Sequence, residues 1–339
     1  MRSFASDNNS GIHPLVMEAI VKANTGHAIG YGDDEWTSRA VVSFKKVFGD
    51  DIQAFFVFNG TGSNVLALQA ATLPFHSILT AETGHIYVDE CGAPAKFTSC
   101  IIKGISTLDG KLTPEMINYC LHGIGDQHHS QPKVIYLSQC TELGTVYTVS
   151  ELKAICDFAH QHNLYVHMDG ARLANAAAYL GAGLKELTRD CGIDILSFGG
   201  TKNGMMMGEA IIPFRSELAG YMKFYRKQSA QLCSKMRYLS AQFSAYFEND
   251  LWLKNAFHAN KMAQLLAGEI ESLPEVKFTQ KVQTNALFLT IPPKVINELQ
   301  KSYFFYIWNE EKYEIRLVCS WDTAEEDVRD FVKTLKALL

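Results

Sequence analysis

Between about Ala54 and Phe214, short apolar and β-branched runs alternate with amphipathic stretches, and this rhythm constrains the chain more than any other feature. It is the βαβ pattern of a mainly parallel sheet covered by helices on both faces. The expected strands are residues 55–58, 134–138, 164–168 and 193–198. Between the second and third, Thr148 and Glu151 spell a capping box, and Leu152, Ile155, Cys156 and Ala159 recur at helical spacing. A helix there makes a crossover, so its flanking strands should pair in parallel.

Beyond about Tyr238 the rhythm changes to a long helical stretch, a strand at 286–291, the Pro292-Pro293 break, a strand at 315–318 and a last helix. That helix is expected to open on a capping box of Thr323 and Glu326, with Val328, Phe331, Val332 and Leu335 on one face. The change predicts two closely packed domains, residues 1–243 and a smaller α/β domain at 244–339. A chain of 339 residues with 47% hydrophobic content can supply a core for each.

The formal charge of −5 and the lack of any Lys/Arg cluster point away from nucleic acid and membrane surfaces, toward a small-molecule partner. Eight cysteines are scattered without a CxxC pair, which predicts reduced, mostly buried thiols. Met1 to Ser10 lack the pattern of a signal peptide, and no apolar run approaches membrane-spanning length. A cytoplasmic protein without a metal site is expected. His128 and His129 fall in a polar loop without matching ligands, and His167 reads as a strand residue satisfied by a neighbour.

Three segments carry chemistry. Asn59-Gly60-Thr61-Gly62-Ser63-Asn64 lies between a strand and a helix expected to begin at Val65, where backbone N–H groups and the helix dipole favour a phosphate. Gly and Asn also serve such a turn for steric reasons alone. Leu164 to Arg172 runs an apolar strand into Asp169, a carboxylate suited to a cation or a protonated ring nitrogen. Ile193 to Gly204 leads through Gly199-Gly200 to Lys202, whose pKa would fall on desolvation so that it could serve as a Schiff-base amine. Either residue alone also fits a helix cap or a snorkelling loop lysine. Together, at the carboxyl ends of strands in an open sheet, they match the parts of a pyridoxal-phosphate site.

With Ser6-Asp7, Ala28 to Asp34, Gly84-His85-Ile86-Tyr87, Thr201 to Gly204 and Ile315 to Val318 added in order, the chain resembles the low-specificity L-threonine aldolases along nearly its whole length. These are fold type I pyridoxal-phosphate enzymes. The resemblance implies an α/β fold with a mainly parallel seven-stranded sheet and a smaller C-terminal domain. It implies aldol cleavage of threonine, allo-threonine and related β-hydroxy amino acids to glycine and an aldehyde. By position it makes Lys202 the Schiff-base lysine and Asp169 the partner of the pyridine nitrogen. Arg172 would stand near the phenolic oxygen, and His85 would stack on the ring. Gly60, Thr61 and Gly62 would hold the phosphate, and Ser6 and Arg316 the substrate carboxylate.

In this family Tyr31 and basic residues such as Lys227 and Arg237 reach a neighbouring subunit's site, so a homotetramer with shared active sites is implied. Where many members carry a second active-site histidine, this sequence has Glu142, which leaves the β-hydroxyl base open between His85, Glu142 and a water held by them. The same scaffold supports β-elimination and transamination. A non-catalytic ligand sensor of this fold is the more distant alternative, and no DNA-binding segment accompanies it here.

Overall fold

The computed structural model describes residues 2–339. The alternating region forms seven strands: β1 (Phe55–Val57), β2 (His76–Ala81), β3 (Ile101–Ile105), β4 (Gln131–Ser138), β5 (Tyr165–Gly170), β6 (Ile195–Gly199) and β7 (Glu209–Pro213). They lie in the order β1-β7-β6-β5-β4-β2-β3. The run from β3 to β6 is parallel throughout, and β7 is antiparallel to both β6 and β1. The cause of that reversal is the short β6–β7 connection, because a parallel return needs about a dozen residues or more.

The capping box at Thr148 forms as expected, with Glu151 N donating to Thr148 Oγ1 at 3.2 Å and Thr148 N to Glu151 Oε2 at 2.7 Å. Its helix, Val149–Gln161, buries Leu152, Ile155, Cys156 and Ala159 and links the parallel strands β4 and β5. Along β6, Leu196 and Phe198 enter a core that includes Phe44, Phe48 and Phe243, while Ile195 enters one on the opposite face with Val134, Tyr136 and Ile211. Burial on both faces is why these strands read as unbroken apolar runs.

A second, antiparallel sheet holds β8 (Lys277–Phe278), β9 (Ala286–Thr290), β10 (Tyr306–Asn309) and β11 (Glu314–Val318) in the order β10-β11-β9-β8. The helix Glu325–Leu338 packs Val328, Phe331, Val332 and Leu335 into its core. The long helical stretch is two helices, Met236–Phe247 and Leu251–Ile270, broken where Asn249 and Asp250 adopt positive φ of 51° and 56°. The second of these joins the two cores, with Leu251 and Trp252 in the first and Met262 and Leu266 in the other. The amino-terminal segment also crosses between them: Phe4 lies in the second core and its carbonyl accepts from Val318 N at 2.7 Å.

Two sequence expectations are corrected. The last helix is capped one residue later than expected, because Thr323 Oγ1 accepts from Ser320 N in a local turn. Ala324 becomes the cap residue, and its N–H donates to Asp327 rather than Glu326. The helix expected from Val65 begins at Gly60, because the Asn59 side chain caps it by accepting from Gly62 N at 2.8 Å.

Candidate active site

The carboxyl ends of β4, β5 and β6 meet the first turn of the helix Gly60–Ala71, and one cleft there is lined by Gly60, His85, Glu142, Asp169, Arg172 and Lys202 among others. Asp169, next to last in β5, is buried. Its Oδ2 accepts from Tyr136 Oη at 2.6 Å and Asn64 Nδ2 at 2.9 Å, and its Oδ1 from Ala171 N at 2.9 Å. Burial alone would push this carboxyl up. The charges of His85 and Lys202 and the two side-chain bonds outweigh it and hold the group below its ordinary range.

Lys202 sits in the tight turn Thr201–Asn203 that follows β6. Burial, reinforced by the Arg172 charge, brings its ammonium below the usual lysine value. His85 opens a short helix after Gly84, and its Nδ1 lies 2.8 Å from Glu90 Oε1. That bond is the main reason the imidazole is held above its ordinary pKa, against the effect of burial.

Glu142 follows β4. Its Oε1 accepts from Ser138 Oγ at 2.6 Å and from the His85 backbone N–H at 2.9 Å, which leaves Oε2 as the oxygen open to other partners. Burial raises its pKa above the usual carboxyl value, with the Ser138 bond opposing.

Arg172 makes a two-pronged pair with the buried Asp7, Nε to Oδ2 at 2.7 Å and Nη2 to Oδ1 at 2.8 Å. Asn285 Nδ2 supports the same carboxylate at 3.0 Å. Burial works against both charges, and their mutual attraction overcomes it, holding Asp7 down and Arg172 up.

In the glycine segment, Gly62 N already serves Asn59, which leaves the N–H groups of Gly60 and Thr61 for an anion. A Cβ at Gly60 would meet nothing within 4 Å, whereas one at Gly62 would lie 2.4 Å from the Gln231 side chain. Gly60 therefore leaves room for a ligand, and Gly62 admits Gln231.

The other expected residues lie apart from this lining. Ser6 Oγ caps a short turn by accepting from Asn8 N at 3.1 Å. Arg316, on β11, donates from Nη2 to Ala5 O at 3.0 Å, and its guanidinium lies over the rings of Trp308 and Tyr306 at 5.0 and 5.4 Å. Burial and the Arg172 charge bring it down to about 10. Lys227 Nζ sits 5.3 Å over the exposed ring of Tyr31, and Arg237 donates to the carbonyls of Thr25 and Gly26.

Glu90 escaped the sequence reading, Tyr136 and Ser138 entered it only as members of a strand, and Asn64 and Asp7 only as parts of motifs. Tyr136 is indistinguishable from a core aromatic in an apolar strand, and nothing in the spacing of Glu90 from His85 marks it. All eight cysteines are free, and five are buried. His167 is buried, with Nε2 3.0 Å from Ser197 Oγ, and is pushed down to about 4 by burial. Among the described residues no cluster suits a metal ion, and no helix is long and apolar enough to cross a membrane.

Residues 3–292 match the family described as Beta-eliminating lyase. The low specificity L-threonine aldolase of Pseudomonas sp. (strain NCIMB 10558) is 43% identical over 341 aligned positions, covering 100% of this chain and 98% of that protein. The solved threonine aldolase of Leishmania major superposes with a TM-score of 0.95 at 30% identity, over 100% of this chain and 99% of its own. Aspartate aminotransferase of Thermus thermophilus shares the fold, with a TM-score of 0.73 at 15% identity over 100% and 91% of the two chains.

Proposed function

We infer the reaction of this chain from its kinship and its site together: it belongs to the beta-eliminating lyase family and, within it, to the low specificity L-threonine aldolases. It is a lyase that cleaves L-threonine, L-allo-threonine and related β-hydroxy amino acids to glycine and an aldehyde. The observation that carries this reading is the pairing, in one cleft, of a buried carboxylate held ionised with a lysine brought below its ordinary pKa.

The residues present fit pyridoxal phosphate. Asp169 would set its negative charge against a protonated ring nitrogen, and Gly60 leaves open space beside N–H donors suited to a phosphate. Once bound, this cofactor would supply an electron-accepting pyridine ring for the breaking Cα–Cβ bond. Lys202 would hold it covalently, His85 would stack on its ring, and Gly60, Thr61 and Gly62 would carry its phosphate, Gly62 by shaping the turn.

Arg316 and Ser6 would bind the substrate carboxylate. Arg172 would stand by the phenolic oxygen, its direction fixed by Asp7. Removal of the β-hydroxyl proton is assigned to Glu142 through Oε2, because both of its internal bonds fall on Oε1 and a pKa raised by burial makes the carboxylate a stronger proton acceptor.

Tyr31, Lys227 and Arg237 lie off this chain's own cleft, which supports their serving the site of another subunit in a homotetramer. Residues 1–243 and 244–339 would form the two domains; two separate cores support a division, with Phe4 packed into the second core and Leu251 and Trp252 into the first. Eight free thiols suit the reducing cytoplasm.

The test is a product assay with threonine. Acetaldehyde and glycine are expected; pyruvate with ammonia, or a keto acid, would place the chain among eliminating or transaminating enzymes instead. No product of any kind would leave a ligand sensor.

A further inference from the structure

One more carboxyl lies buried behind the cleft without a part in the reaction described above. Glu209 opens β7, opposite Val57 on one side and Gly199 on the other, and is 7% exposed. Its Oε1 accepts from Thr201 Oγ1 at 2.9 Å. A Cβ on Gly199 would stand 2.7 Å from both the Ala171 Cα and Glu209 Oε2; the Ala171 backbone requires glycine there, and the carboxyl group fills the space beside it. Thr201 Oγ1 accepts in turn from Gly208 N at 3.1 Å. The carboxyl group thus lies against Gly199 and is held by Thr201, in the turn whose next residue is Lys202.

A carboxyl group is an expensive choice for this task. Its hydrogen bond comes from a neutral donor, and a glutamine oxygen could accept it without the cost of a buried charge. What the acid adds is a proton it can gain or lose. The titratable groups facing it are Lys202, Asp169 and Tyr246, and those facing Lys202 are Arg172, Asp7, Asp169 and Glu209. Burial pushes Glu209 up to about 8, while burial and Arg172 bring Lys202 down, so the two approach one another in proton affinity.

We propose that Glu209 is a positioning residue for Lys202, whose carboxyl group clamps the Gly199–Thr201 turn and whose ionisation sets the proton affinity of the lysine nitrogen. With Glu209 ionised, a negative charge beside Lys202 favours the protonated nitrogen. When Glu209 takes up a proton, that charge is gone and the nitrogen releases its own more readily. The inference rests on the cofactor reading given above.

The experiment is a titration of the visible absorbance of the pyridoxal-phosphate-loaded protein between about pH 5 and 10. Glu209→Gln keeps the shape and an acceptor for Thr201 but cannot ionise. Its midpoint is expected to move to lower pH by about one unit, with the cofactor retained through gel filtration. A midpoint equal to that of the unaltered protein overturns the proposal.

Should Glu209→Gln not accumulate as folded protein, Thr201→Val decides. The Thr201 bond holds the Glu209 pKa down, so its loss leaves Glu209 more protonated and moves the midpoint in the same direction by a smaller amount. No movement in that variant overturns the clamp. Failure of the unaltered protein to develop a visible band refutes the cofactor reading itself, an outcome separate from these.

Discussion

Glu90 holds His85 by its ring: Glu90 Oε1 lies 2.8 Å from Nδ1, and Glu90 is itself buried at 4% exposure. The same oxygen accepts from Asn64 Nδ2, which also donates to Asp169. Because Glu90 engages Nδ1, the other nitrogen, Nε2, is the one free for other partners. Glu90→Gln should lower the His85 titration midpoint, read by NMR of its ring protons. The raised pKa of His85 contributes stability that is fully present below the ordinary histidine value and lost as pH rises through the raised one, so this variant should lose stability mainly on the acid side. An unmoved midpoint refutes the assignment.

Removing the partner of Arg172 should be costly. Asp7→Ala leaves a guanidinium with 18% side-chain exposure without its hydrogen-bonded carboxylate, and loss of about 3 kcal/mol is expected in urea unfolding. The lowered pKa of Asp7 also means that this stability is present above the ordinary aspartate value and lost as pH falls through the lowered one. In Asp7→Ala the acid limb of the stability profile should therefore flatten. Equal stability at neutral pH in both proteins would contradict the pairing.

The β-hydroxyl base can be identified by comparing Glu142→Gln with His85→Asn on threonine. If Glu142 takes the proton, kcat/KM in the unaltered protein falls as pH drops through the raised Glu142 pKa, and Glu142→Gln abolishes that limb with a rate loss of about 100-fold or more. His85→Asn should retain the limb. Normal turnover in Glu142→Gln excludes it as the base.

Lys202→Ala should fold normally and lose both the visible absorbance of the loaded protein and essentially all turnover, a drop of about 1000-fold or more. Circular dichroism serves as the control for folding. Retention of colour and rate together would mean that another amine holds the cofactor.

Much of the fold was legible because its signals are local. The capping box at Thr148 and Glu151 involves neighbours in sequence, and the apolar runs of β4, β5 and β6 record burial on both faces of one sheet. β3 escaped notice because it is an edge strand: Ile101 is exposed, and Lys103 and Gly104 interrupt its apolar pattern. The cap expected at Thr323 moved to Ala324 because two adjacent turns compete for the same hydroxyl.

The sequence by itself determined the strands at 55–58, 134–138, 164–168 and 193–198 with the crossover helix between the second and third, and pointed to Lys202 and Asp169, since a strand that ends on glycine and a reactive group is a pattern written in consecutive residues. The tertiary structure alone decided their surroundings. Asn64 and Asp169 are 105 residues apart, and Tyr136 and Asp169 are 33 apart, yet their bonds of 2.9 and 2.6 Å keep a buried carboxylate ionised. Hydrogen bonds depend on register and direction to a fraction of an ångström, and burial depends on every element packed around a site. Neither quantity is carried by spacing along the chain, and so Glu90 and Glu209 became visible only where strands and turns from distant segments meet.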